Sequence, residues 1–434
     1  MKKFFKSLML ISVCLGLSAT VNAKTFRYAT TGDILGLDPH ANNEGPTNTM
    51  KGNIYGRMLH RKADLSLEPD LATKWEKLDA NTWRFSLRRG VKFHNGNDFN
   101  ADDVLFSYKR QTQEASDMSF ALATIKQINK VDDYTVDLIT KGPDPILLLN
   151  MPMFYIVDKE WIEANNAFEV VRASGSTNFA NVNTNGTGPF KVVEWIQDTR
   201  IVLEPFEGYW GKNQIQHNLT KAVFTPISND ATRVAALLSG EIDLMYPVPL
   251  QDVKRLNNDP NTEALEGPEL RTIFLGYDQW RDESLDMPGS GKNPFKDKRV
   301  RQAFHHAINI NAIKRVVMRN AATPTGLMIA PGINGFQKDM NNRVSYDPDA
   351  AKKLLADAGY PNGFPVTFDC PNDRYVNDEE ICTAVIPMLE RVGIKVTPNF
   401  QTKSKHFNKI GKAQSNNTSF FMLGWTPGSY DALN

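Results

Sequence analysis

WRFSLRRGVKFHNGNDFNADDVLFSYKR, residues Trp83–Arg110, holds a strand, a turn and a helix start in one run. Thr82–Leu87 alternates large and polar residues with period two, the pattern of a half-buried strand. Arg89-Gly90 supplies a turn, so residues 80–95 read as a hairpin. Asp102-Asp103 stand where a helix begins, and carboxylates there meet the positive end of the helix dipole. Capping is a sufficient account of that acid pair. Outward from this run the pattern repeats. Val131–Ile139 alternates about a turn at Asp132-Asp133, and Phe190–Trp195 and Arg200–Leu203 flank Gln197-Asp198-Thr199. Thr25–Thr30 reads as a strand and Thr49–Leu59 as a helix. Asp230 caps a helix over Ala231–Ser239 that Gly240 stops, and Asp347-Pro348 opens Asp349–Ala358, which Gly359 stops. Val300, Phe304, Ala307, Ile308 and Ile313 fall at helical spacing behind a cap at Asp297. Phe420–Trp425 is apolar enough for a buried strand. Strands and helices alternate irregularly, which predicts α/β lobes with mixed sheets.

The first 23 residues have a different character. Lys2, Lys3 and Lys6 precede an apolar run, Leu8–Leu17, and small residues lead to Val21-Asn22-Ala23. That is the form of a secretory signal, too short for the roughly 20 apolar residues of a spanning helix. The mature chain is therefore expected to start near Lys24, outside the cytoplasm. Cys14 opens a lipoprotein alternative, which Val13 before it and the continuing apolar run disfavour. Without the three leader lysines the chain has 47 Lys and Arg against 49 Asp and Glu, a net charge of −2. That balance excludes a general polyanion binder, because nucleic-acid affinity rests on many basic contacts. The 434 residues allow two or three domains, and 41% hydrophobic with 23% charged content is that of a globular protein. Cys370 and Cys382, an even pair in an oxidising compartment, are expected to form a disulfide closing a short loop, with two separate thiols as the alternative. The loop closure would stabilise by roughly 3 kcal/mol in the chain-entropy model.

Motifs for chemistry are sparse. Gly289-Ser290-Gly291-Lys292 lacks the upstream Gly and following Ser or Thr of a phosphate loop. His305 and His306 are adjacent on a helix and face apart, and the other histidines are scattered, so no metal site is expected. No G-x-S-x-G elbow supports a secreted hydrolase. Trp425, at a strand end beside Gly424, is the best of the tryptophans for a ligand-cleft wall.

Trp83–Arg110 resembles the signature region of the family 5 extracellular solute-binding proteins. Further segments resemble the same family in order: Leu37–His40, Val131–Val136, NGTGPFKVVEW (Asn185–Trp195), FEGYWG (Phe206–Gly211), ALLSGEIDLM (Ala236–Met245) and KDKRVRQAFHHAIN (Lys296–Asn309). The resemblance implies a two-lobe α/β binding protein with an extra domain in lobe I, serving an ABC importer by binding without chemistry. It places lobe I at 24–65 and 185–281, the extra domain at 66–184 and lobe II at 282–434. It also implies a returning lobe I segment beyond Asn434, so the chain reads as cut inside a domain. The implied partners are a small peptide or peptide-like solute and a membrane permease, with the protein a monomer and no cofactor.

The resemblance carries over to a few residues. Arg374 matches an arginine that holds a ligand carboxylate, and a guanidinium suits that task bidentately. The alternative is a surface arginine paired with Asp373 or Asp378. The family's ammonium-binding Asp, three residues past the Gly-Trp pair, is Gly428 here; Asp431 lies three further on as a substitute. Asn43 and Glu44 match a loop that contacts ligand. Arg374 without the Asp implies a solute with an anionic group and no free ammonium, with opine-like, sugar-conjugate and metal-chelate ligands as alternatives.

Overall fold

The computed structural model describes residues 24–172, 177–214, 217–411 and 416–433. The signal-like leader lies outside them. Among the described residues no helix is long and apolar enough to cross a membrane.

Three larger sheets organise the described residues, with a two-stranded pair, Leu59–Arg61 and Leu67–Pro69, beside them. A five-stranded mixed sheet has the order Leu244–Tyr246, Lys24–Thr30, Leu219–Pro226, Arg200–Pro205, Phe190–Ile196. Lys24–Thr30 runs parallel to both of its neighbours, and the last two strands are antiparallel. A second, four-stranded sheet orders Thr272–Tyr277, Phe420–Trp425, Pro365–Pro371 and Lys395–Gln401. Its last three strands are parallel and Thr272–Tyr277 is antiparallel to Phe420–Trp425. The boundary expected after residue 281 thus lies beyond a strand that pairs in the second sheet. The third sheet is antiparallel, in the order Ala72–Lys77, Thr82–Leu87, Thr135–Thr140, Ile125–Asp132.

The Trp83–Arg110 run folds differently from a hairpin. Thr82–Leu87 is a strand and Gly90 takes the left-handed turn at φ +71°. Its partners, however, are Ala72–Lys77 and Thr135–Thr140. Beyond Gly90, Val91, Phe93 and Phe99 are buried in the core under the antiparallel sheet. Burying three large apolar side chains from a loop wins over extending a second strand. Asn100 then caps the Ala101–Gln111 helix, with Asp103 closing a reciprocal capping box. The first helix spans Gly45–Ile54, earlier than the expected Thr49–Leu59, because Glu44 caps it and Pro46 occupies its first turn. The Asp230–Leu238 helix is capped by Asn229 rather than Asp230. Asp297 and Asp347 cap Lys298–Ala307 and Pro348–Asp357 as expected.

Two large cores matter for the site. One joins the five-stranded sheet to the Ala101–Gln111 region through Leu37, Ile54, Phe106, Tyr155 and Phe224. The other lies under the second sheet around Phe304, Phe368, Val385 and Phe420.

Candidate functional site

Of the expected ligand residues, Arg374 and Trp425 sit at strand ends of the second sheet, and Asn43 and Glu44 on the loop that leads into the Gly45–Ile54 helix. In open α/β sheets the carboxyl ends of parallel strands carry ligand groups, because helix N-termini and free loops converge there. Thr31 follows Lys24–Thr30, Arg374 follows Pro365–Pro371 and Lys403 follows Lys395–Gln401. The Thr31 hydroxyl donates to the Asp373 carbonyl at 2.6 Å, so the loops of the two sheets meet directly.

On the first side, the loop before the Gly45–Ile54 helix is held from below. Asp38 takes both Nη atoms of Arg110 at 2.8 and 2.6 Å, with both side chains fully buried. Lys51 donates its buried ammonium to the Pro39 and Asn42 carbonyls. Burial lowers the Lys51 pKa to about 8, against the pull of Asp38 and Glu44. Asn43 Oδ1 accepts from Asn48 Nδ2 at 2.8 Å and serves the loop. Glu44 Oε2 accepts from the Thr47 amide and hydroxyl at 2.9 and 2.7 Å.

On the facing side, Asp378 forms the Arg374 turn. Its Oδ2 accepts the backbone N–H groups of Arg374 and Tyr375, each at 2.9 Å. Burial pushes the Asp378 carboxyl up to about 7, against those hydrogen bonds. Cys370 and Cys382 are bonded with Cα atoms 6.6 Å apart, so the disulfide brackets the turn between the strand and the Asp378–Glu390 helix. The Arg374 guanidinium lies 4.8 Å from the Tyr375 ring centre, and the Tyr375 hydroxyl donates to the Gly424 carbonyl and accepts from its amide.

The two sides join through charge. Glu44 Oε1 is 2.8 Å from Arg374 Nε and 3.5 Å from Lys403 Nζ. Glu44, Arg374 and Lys403 are 4%, 6% and 3% exposed. Arg374 is therefore neither a surface residue nor a partner of the Asp373 or Asp378 carboxylates; Asp378 holds its backbone, and its guanidinium faces Glu44. Burial raises the Glu44 pKa, but Lys403, Arg374 and Thr47 outweigh it and hold the carboxyl below its ordinary value. Lys403 was not singled out in the sequence. The signal was its place at the start of a helix directly after a parallel strand.

Trp425 ends its strand opposite Thr272 and is partly buried. Asp431 is buried, 5% exposed. Its oxygens accept from Asn334 Nδ2 at 2.5 Å and the Leu433 amide at 2.8 Å, docking the segment after Gly428 onto the Asn334 loop. Gly428 packs against Met153, where a Cβ would come 2.2 Å from Sδ. A cavity of about 140 Å³ beside the Arg374 turn is lined by Thr31, Asp230, Arg233, Pro247, Tyr375 and Asp378. It is smaller than the roughly 300–1,000 Å³ of a typical ligand site. Asp103, Asp158 and Glu160 bring carboxylate oxygens within 4.8 Å of one another. Two of them are already engaged: Asp158 accepts from Trp161 N and from Asn95, Asn97 and Asn185, and Asp103 accepts the Asn100 and Lys159 amides.

Facing α/β sheets with charged groups at the carboxyl ends of their strands, and a third sheet attached to one of them, define a solute-binding protein of the periplasmic type. Residues 66–434 match the family described as bacterial extracellular solute-binding proteins, family 5 Middle, and the chain belongs to that family. The dipeptide-binding protein of Escherichia coli (strain K12) is 30% identical over 450 residues, covering 97% of this chain and 79% of that protein. Among solved structures, the periplasmic binding protein DppA from Helicobacter pylori in complex with peptide STSA matches with a TM-score of 0.81 at 28% identity, covering 94% of this chain and 80% of that one. AgaA from A. tumefacien R10, in complex with agropinic acid, matches with a TM-score of 0.82 at 26% identity, covering 94% and 78%. The family consists of transport components rather than enzymes, in agreement with the expectation of binding without chemistry.

Proposed function

We propose that this chain captures a small peptide or peptide-like solute with an anionic group and delivers it to the permease of an ABC importer in the periplasm, after export directed by its first 23 residues. Lobe I would comprise 24–65 and 185 to about the start of the Thr272–Tyr277 strand, the extra domain 66–184, and lobe II the remainder. The observation that carries the anionic preference is Arg374, buried at a strand end on a turn fixed by Asp378 and a disulfide. A rigid, desolvated guanidinium strongly prefers a carboxylate partner. Relatives whose names record dipeptide binding support the peptide class, and a neighbour holding agropinic acid supports an opine-like acid as the second reading. Calorimetric titration with dipeptides bearing a free or an amidated carboxyl terminus tests the proposal. Binding should require the free carboxylate, and equal affinity for the amides would refute it.

A further inference from the structure

Glu44 is an unusual choice for a helix cap. Asn, Asp, Ser and Thr are the effective residues there, because a short side chain reaches the second and third amides of the helix. Glu44 does cap, through Oε2 on Thr47. Its length places the second oxygen, Oε1, between the Arg374 and Lys403 cations of the other sheet. Capping explains one oxygen only.

The contact is also incomplete. Oε1 and Arg374 Nε are 2.8 Å apart, yet neither buried atom completes a hydrogen bond. A buried ion pair offsets its desolvation only with well-aligned hydrogen bonds. The backbone is already tight against the guanidinium: a Cβ on Gly45 would lie 2.8 Å from Arg374 Nη2. The Asp373 carboxylate is partly engaged already, with Oδ1 accepting the Lys403 backbone amide. If Glu44 turned away, Arg374 and Lys403 would lose the carboxylate that lies between them. A solute carboxylate entering at that moment restores the balance. Glu44 would remain charged meanwhile, on Thr47 and the N-terminal end of a ten-residue helix.

We infer that Glu44 is a resident counter-ion: the ligand-free protein closes on its own carboxylate, and an anionic solute takes that place on Arg374 and Lys403. The inference rests on the proposed anion site but not on the solute being a peptide.

The test needs no knowledge of the solute. Nitroxides at Lys221→Cys and Lys352→Cys, exposed positions on the two sides, report the inter-sheet distance in the ligand-free chain. The short-distance component should be present in the parent and fall at least tenfold in Glu44→Gln and in Glu44→Ser, the latter keeping a cap for Thr47. In Glu44→Ala, excess acetate should restore the short component, and chloride at the same ionic strength should not. A short component that survives Glu44→Gln, one absent from the parent, or one that acetate fails to restore would overturn the inference. Acetate rescue in a protein that binds no dipeptide would leave the resident counter-ion standing and refute the peptide reading alone.

Discussion

At the scale of single residues, Arg374 and Gly428 make opposite predictions. Truncating one partner of a buried charge pair costs about 2–5 kcal/mol of binding. Arg374→Ala should weaken binding of a free-carboxylate dipeptide by that amount in calorimetry while leaving amidated peptides unaffected. The family resemblance sets Gly428 against an ammonium-binding Asp, so Gly428→Asp invites itself as a gain of function. The geometry argues against it: the new Cβ would meet Met153 Sδ at 2.2 Å. Overpacking of this kind costs about 1–3 kcal/mol. Gly428→Asp should lower the melting temperature without improving dipeptide affinity, and adding Met153→Ala should recover the lost stability. A melting temperature unchanged by Gly428→Asp would show that Met153 simply moves aside.

At the scale of elements, the second sheet and its helices carry two tests. The Cys370–Cys382 bond spans a sequence separation of 12, so the chain-entropy model assigns it roughly 3 kcal/mol. Reduction should lower the melting temperature and loosen the Arg374 turn, read as weaker ligand binding at a temperature where the fold persists. His406, on the Lys403–Ile410 helix, shares a hydrogen bond with the Met422 carbonyl at 2.9 Å. Burial lowers its pKa to about 4, only partly countered by that bond. Below the ordinary histidine value the unfolded chain takes up a proton that the folded chain refuses, so stability falls as pH drops from about 6.5 towards 4, by up to about 3 kcal/mol. His406→Gln should reduce that slope without abolishing it, because burial also lowers His94 to about 4; an unchanged slope would remove His406 from the acid response. Elements of this kind were largely legible in the sequence. Caps at Asp297 and Asp347 and the Phe190–Ile196 and Arg200–Pro205 pair follow from local residues alone. The partners of Thr82–Leu87 were not legible, because its pairing with Thr135–Thr140 is set by burial of Phe85 and Val136 in one core, far apart in sequence. Arg374 was legible only through family resemblance. Glu44 as its partner was not, since an ion pair across 330 residues leaves no local pattern.

At the scale of the whole molecule, the buried polar groups divide between two bodies. Asp38 and His40 bind the chain's first segment to Arg110 of the Ala101–Gln111 helix, with Arg110 Nη1 also 3.1 Å from His40 Nδ1, and Lys51 ties the Pro39 and Asn42 carbonyls within that segment. The same region shares one apolar core with the five-stranded sheet. The second sheet has its own core and its own disulfide. Multi-domain chains of this construction depart from two-state unfolding, and each core can melt by itself. Asp38→Asn leaves Arg110 charged, fully buried and without its carboxylate, a change that costs about 3–5 kcal/mol. In scanning calorimetry it should lower the transition of the body built on the five-stranded sheet. Reduction of Cys370–Cys382 should lower a different transition, that of the second sheet. Among the described residues the two bodies touch through Thr31 on Asp373, Glu44 on Arg374 and Lys403, Gly428 on Met153 and Arg61 over the Tyr430 ring, contacts that should couple the two transitions without merging them. A single transition displaced equally by Asp38→Asn and by reduction would mean that the two sheets unfold as one cooperative unit, held together by the contacts where their loops meet.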